Sequence, residues 1–227
     1  MEITALILAR GGSRRVPRKN VRVMAGKPLI GWTIDAARAS GLFAQILVST
    51  DCPEIAAVAQ SMGASVPFLR PAALADHESS SLDAIRHAMA HGGLSEQVML
   101  LQPTSPLRSA FDIQQAWSIH QADLTLPLVS VCALPQKPST LFTVRAGTNT
   151  NYPYELGEPA PRSLDTAIHF MNGAIFLFSQ DYVRAQGCLF DDRSQVYDMP
   201  PERSVDVDTE LDFQIAEFLL LQAKGSD

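Results

Sequence analysis

Cysteine is scarce. The 227 residues carry three, Cys52, Cys132 and Cys188, with no CxxC pair and no Cys/His metal spacing. That excludes a disulfide framework and reads as reduced thiols. Long apolar runs are missing too: no stretch approaches the roughly 18–20 consecutive apolar residues of a membrane span. The opening Met1-Glu2-Ile3-Thr4 lacks the basic start of a signal peptide. The expectation is a cytoplasmic protein with no membrane partner. Positive charge is in the minority, with 18 Lys and Arg against 24 Asp and Glu and a net charge of −6. Such a balance argues against a general nucleic-acid binder. Three chemical signatures are absent as well: no Gly-Lys-Ser/Thr closes a Walker loop, and neither GxGxxG nor the nucleophile elbow GxSxG occurs.

A hydrophobic fraction of 46% can fill a core, and the length suits one large domain, here taken as 1–227. Short apolar runs at Ile3–Leu8, Ile46–Val48, Ala64–Phe68, Val98–Leu101 and Leu126–Val131 read as buried strands. Helical spacing over Leu29–Ala39, Pro53–Met62, Ser81–His91 and Ala110–Gln121 separates them. Alternation of this kind predicts an α/β fold with a mostly parallel sheet, whose ligands bind beyond the carboxyl ends of the strands. The loops to watch are Ala9–Lys19, Ser49–Asp51, Arg70–Ser80 and Gln102–Arg108. From Leu134 to Ala167 the rhythm breaks in a Pro- and Gly-containing segment, read as an arm inserted at 135–170. Ala174–Phe178 resumes the core. Thr209–Leu221 is an amphipathic helix, with Thr209 as cap and Asp212 at the capping-box position.

Chemistry concentrates in the first loop. Between Glu2 and Asp35 there is no acid, yet Arg10, Arg14, Arg15, Arg18, Lys19, Arg22 and Lys27 all lie there, beside Gly11 and Gly12. Glycines let backbone N–H groups approach a ligand, and guanidinium forks suit phosphate oxygens. The alternative is a solvated basic face, but a position directly after the first strand favours an oligophosphate cradle. Asp206 and Asp208 flank Val207, and residues at i and i+2 of an extended segment share a face. Two carboxylates on one face repel each other and suit Mg²⁺, which prefers oxygen ligands and bridging phosphates. Gln102, at the end of a strand before Pro103, offers a donor and an acceptor to a base edge or a sugar hydroxyl, or else belongs to a plain Pro-rich turn. Ser80 is a nucleotide contact or a helix cap. Asn172-Gly173 is a pocket amide or a turn.

Taken in order, Leu8–Ser13 with Arg18-Lys19-Asn20, Val48–Asp51, Leu69-Arg70-Pro71, Leu101–Arg108, Asn172–Ile175 and Asp206–Asp212 resemble the motifs of the acylneuraminate cytidylyltransferases. The resemblance runs over nearly the whole chain. It implies a nucleotidyltransferase fold and a homodimer in which the 135–170 arm is the dimerisation element. It also implies transfer of CMP from CTP to a nonulosonic acid, with Mg²⁺ as cofactor. By position, Arg10, Gly11, Lys19, Asn20, Arg70, Ser80 and Gln102 would hold the nucleotide, and Gln102, Arg162, Asn172 and Phe190 the sugar. Asp206 and Asp208 would hold magnesium, with Arg10, Lys19 and Asp208 in the catalytic roles. Phe170-Met171 stands where some sialic acid enzymes carry a basic residue, and Phe176 where a Tyr is familiar. Those departures make legionaminic or pseudaminic acid the alternative to N-acetylneuraminic acid. The rival classes are a non-catalytic nucleotide-binding protein and a 3-deoxy-octulosonate cytidylyltransferase.

Overall fold

The computed structural model describes residues 2–76, 79–136 and 168–224, together with the backbone of 142–145 and 148–151. Six strands form the main sheet: β1 (Ile3–Leu8), β4 (Gln45–Ser49), β5 (Gln97–Leu101), β6 (Leu128–Ala133), β9 (His169–Ser179) and β10 (Gln195–Asp198). Their order is β10-β6-β9-β5-β1-β4. β1 pairs in parallel with β4 and β5, β10 in parallel with β6, and β9 runs antiparallel between β5 and β6. Two small hairpins stand apart, β2 (Val23–Met24) with β3 (Lys27–Pro28) and β7 (Phe142–Arg145) with β8 (Thr148–Asn151). The second hairpin falls within the expected 135–170 arm, most of which lies outside the described residues.

Period-two alternation distributes the core over both faces of the sheet. Ile3, Ala5, Ile7, Met99, Leu101, Ile175 and Leu177 face one layer, with α1 (Leu29–Ser40), α2 (Pro53–Ser61) and α4 (Ala110–His120). Leu6, Val98, Leu100, Phe176 and Phe178 face the other, with α3 (Ser81–His91) and α5 (Gln180–Gln186). Burial on both faces explains why these strands read as continuous apolar runs.

A third, smaller cluster matters most for the site. Val16 from the first loop, Met24, Leu29, Val207, and Phe213, Ala216 and Leu220 from α6 (Glu210–Lys224) pack together. Val16 is 1% exposed and Val207 fully buried. Burying these side chains draws the first loop and the Asp206–Asp208 segment, 190 positions apart in sequence, onto one support. The Thr209 cap is present: its hydroxyl accepts from the Asp212 N–H at 3.3 Å, and Asp212 Oδ2 accepts from the Thr209 N–H at 2.7 Å.

Ala64–Phe68 does not form the expected strand. Only single bridges, Leu47 to Ser65 and Thr50 to Leu69, attach it to the sheet edge. Pro67 has no N–H to continue a ladder.

His120 is fully buried, its Nε2 at 2.9 Å from Gln97 Oε1. Burial pushes its pKa down to about 4, against a small opposing pull from Asp123. The folded state therefore binds this proton less readily than the unfolded chain. The stability it contributes is complete above pH 6.5 and is lost as pH falls toward 4, about 2 kcal/mol of it by pH 5. His87, also pushed down by burial and then by His91 and Arg70, acts in the same direction. Urea unfolding at pH 7.5 and pH 5 is expected to show a smaller difference for His120→Gln than for the unaltered protein. An unchanged difference would refute the assignment.

Candidate functional site

The carboxyl ends of β1 and β5 open into a cleft of about 610 Å³, within the size range of small-molecule sites. Its walls come from the first loop, the segment before α3, the turn after β5 and the acidic segment before α6. Arg10, Arg14, Arg15, Lys19, Asn20, Arg70, Ser80, Gln102, Asp206 and Asp208 all line it. Eight of these ten are residues assigned from sequence; Arg14 and Arg15 join them from the same basic loop.

Cations and acids meet here. Lys19 Nζ donates to the Val207 carbonyl at 2.6 Å and lies 3.3 Å from Asp208 Oδ1. Arg15 Nη1 lies 3.6 Å from Asp208 Oδ2. The Val207 N–H donates to the Thr104 carbonyl at 2.8 Å. With Val207 buried, its two acidic neighbours face the cleft. Partial burial among protein atoms raises the Asp206 pKa, a Thr104 hydrogen bond opposes this, and the Asp208 charge adds to it. Solvent still reaches Asp206 across the open side of the cleft.

The basic loop is not committed as a whole. Arg18 pairs with Glu54 on the outer surface. Arg22 makes a fork to Glu210 at 2.6 Å and 2.6 Å and lies over the Phe213 ring, 4.2 Å from its centroid. Lys27 pairs with Asp35 and lies over Trp32. These three have structural partners; Arg10, Arg14, Arg15 and Lys19 face the cleft. Gly11 supports the loop from behind. Its N–H donates to Asp51 Oδ1 at 2.9 Å, and a Cβ there would come within 2.9 Å of Cys52 Cβ. The glycine allows close approach to the Asp51-Cys52 turn that follows β4.

Arg70 is 5% exposed, and its Nε has no partner among the described residues. Burial lowers its pKa; Asp51 works against that and Arg10 with it. Asn20, 4% exposed, donates from Nδ2 to the Arg10 carbonyl at 2.9 Å, while its buried Oδ1 has no partner among the described residues. Ser80 fulfils its helix-cap reading. Its hydroxyl caps α3 by accepting from the Asp83 N–H at 3.1 Å, and it lines the cleft. The amino end of α3 thus faces the cleft, a polarity that favours anions.

Two sugar-contact assignments do not reach the cleft. Asn172 is 3% exposed; Oδ1 accepts from the Ser130 hydroxyl at 2.6 Å and Nδ2 donates to the Ser204 hydroxyl at 2.9 Å. It anchors the chain two residues before Asp206. Phe190 packs against Phe176, with ring centroids 6.1 Å apart. Arg162 lies outside the described residues. Sequence reasoning missed Thr104, whose carbonyl, hydroxyl and position join Gln102 to the acidic segment. It stands inside the quoted motif, but nothing in its residue type set it apart.

Residues 4–145 match the family described as cytidylyltransferase. The chain belongs to this cytidylyltransferase family. It is 34% identical over 225 residues to the CMP-N,N'-diacetyllegionaminic acid synthase of Legionella pneumophila, covering 97% of each chain. It is 33% identical over 215 residues to the N-acylneuraminate cytidylyltransferase of Escherichia coli O18:K1:H7, covering 95% of this chain and 51% of that protein. The chain thus spans about half the length of the second relative and nearly all of the first. In fold it matches a CMP:2-keto-3-deoxy-manno-octonic acid synthetase solved with CTP. The TM-score is 0.75 at 20% identity, over 98% of this chain and 100% of that one. Among the described residues no helix is long and apolar enough to cross a membrane.

Proposed function

We propose that this cytidylyltransferase transfers CMP from CTP to the anomeric hydroxyl of a nonulosonic acid and releases pyrophosphate. The observation that carries the reading is the meeting of Arg10, Arg15 and Lys19 with Asp206 and Asp208 around one cleft. The oxygen of the sugar hydroxyl bonds to the α-phosphorus as the bond to the pyrophosphate oxygen breaks, and the hydroxyl proton passes to solvent in the open cleft. Such transfer depends on positioning and charge neutralisation rather than on covalent help from the protein.

The donor set fits Mg²⁺: Asp206 and Asp208 both line the cleft and repel each other, which contributes to the raised Asp206 pKa, and together they would hold a hard cation through oxygen. When bound there, magnesium supplies charge for phosphate oxygens. The chain's own groups do the rest. Lys19 is held in place by Val207 and Asp208 and, with Arg10, neutralises the leaving pyrophosphate. Arg70 Nε and Asn20 Oδ1 are a buried donor and a buried acceptor with no partner among the described residues. Gln102 orients the base or the sugar. The 135–170 arm, carrying Arg162, would complete the sugar site in a homodimer.

Within the sugar class, the exposed apolar pair Phe170 and Met171 supports a less polar sugar site and a legionaminic- or pseudaminic-type substrate. Pyrophosphate release with CTP, Mg²⁺ and a panel of nonulosonic acids, ranked by kcat/KM, tests both levels. Turnover of at least one acid is expected. CTP binding without pyrophosphate release from any of them would leave a nucleotide-binding protein instead.

A further inference from the structure

Arg108 is 2% exposed, and its guanidinium has no carboxylate within ion-pair distance among the described residues. The nearest acid along its own segment, Asp112, is bound by Arg203, Tyr197 and Ser109. Burying a lone cation is costly, and an apolar staple would hold the same elements together at less expense. The geometry shows where the cation acts. Nη1 donates to the Gln102 carbonyl at 3.1 Å and to the Ala174 carbonyl at 2.8 Å, and Nη2 donates to Thr33 Oγ1 at 2.7 Å. The Gln102 carbonyl also accepts from the Thr33 hydroxyl at 3.4 Å and the Ser105 N–H at 3.3 Å. Three donors therefore converge on the backbone of the residue whose side chain faces the cleft. On the other flank, Gly173, at φ 74°, would place a Cβ 3.8 Å from the Gln102 amide, so the amide rests against backbone.

We propose that Arg108 is a positioning residue: by clamping the Gln102 carbonyl to β9 and α1, it fixes the direction in which the Gln102 amide meets the substrate. This deepens the proposed function and rests on Gln102 being a substrate contact. The charge is suited to the task because one planar fork reaches acceptors on three elements at once, which an ammonium cannot. Burial lowers its pKa to about 9, so it remains charged at neutral pH.

The test is a double-mutant cycle with Gln102→Ala, Arg108→Met and the double variant, read as kcat/KM for CTP and for the best sugar acid of the panel. Each single variant is expected to lose about 10- to 100-fold, the range for a hydrogen bond to a charged group. The double variant is expected to fall no more than about threefold below the worse single one. Arg108→Lys should recover only part of the loss. Thr33→Val removes one acceptor of the fork without changing shape, and serves if Arg108→Met does not fold. It is expected to lose about three- to tenfold, again without adding to Gln102→Ala. Additive losses, or unaltered kcat/KM in Arg108→Met or Thr33→Val beside a damaged Gln102→Ala, would overturn the proposal while the site stands. An unaffected Gln102→Ala would remove both the contact and the proposal. Absence of CTP turnover and binding in the unaltered protein would take the functional reading down with them.

Discussion

Asp208→Ala is expected to lower kcat by about 10³-fold, the loss of some 4 kcal/mol of charge stabilisation, while the protein stays folded. The fold survives because the Asp208 side chain contributes little to it. Its pair with Arg15, at 3.6 Å, is exposed and of small energetic weight, and Lys19, at 3.3 Å and mostly buried, keeps the Val207 carbonyl as a partner. The backbone there is held independently, by the Asp208 N–H on Asp212 Oδ2 at 3.1 Å and by buried Val207. Activity does not survive, because Asp206 would be left as the one carboxylate to hold the cation that offsets the triphosphate charge. Asp206→Asn should behave alike, since it keeps the shape and removes the charge. The raised pKa of Asp206 adds a sign that can be checked. Its protonation, and with it the loss of a cation ligand, occurs at higher pH than for an ordinary aspartate. A proton and a divalent cation compete for this carboxylate, so Mg²⁺ affinity is expected to weaken on acidification sooner than at an ordinary aspartate. Melting curves and kcat at saturating Mg²⁺ measure both halves of the prediction. Near-normal kcat in both variants would remove the metal assignment.

The local parts of this architecture were legible in the residues. Buried two-faced strands, the Thr209–Asp212 box and the basic loop each depend on neighbours in sequence. Period and capping chemistry expose such neighbours directly. Relations between distant segments were not legible. β9 enters the sheet antiparallel between β5 and β6, yet its apolar run looks like any parallel core strand, because both are buried on two faces. β10 and α5 are too short and too polar on their outer sides to give a clear period. Inside the site, the same limit separates Arg10 and Lys19 from Arg18, Arg22 and Lys27. All five carry charge in one loop, but only tertiary contacts decide that Glu54, Glu210 and Asp35 claim the last three. Asn172 shows the converse. An amide before a glycine suits a pocket or a turn equally well, and its neighbours Ser130 and Ser204, 42 positions before it and 32 after, decide for an interior anchor.

Arg70→Met is expected to move stability and binding in opposite directions. The guanidinium is nearly buried, its pKa is lowered chiefly by desolvation, and its Nε has no partner among the described residues. Asp51 offsets part of the charge, but that carboxylate also accepts the Gly11 N–H and remains partly exposed, so it does not depend on Arg70. Without ligand, an apolar side chain of similar length removes an incompletely compensated buried charge. The melting temperature should then rise by about 2–4 °C, the equivalent of about 1 kcal/mol in a chain of this size. With CTP the balance reverses. A negatively charged or hydrogen-bonding ligand supplies what the protein leaves unmet, and its loss is expected to weaken CTP binding by about 10- to 100-fold. Arg70→Lys should recover little, because one ammonium cannot reproduce a fork held at this depth. Calorimetric titration of CTP beside thermal melts of the ligand-free protein reads both quantities. A fall in ligand-free melting temperature together with unaltered CTP affinity would make Arg70 a structural residue and strip the cleft of its buried cation.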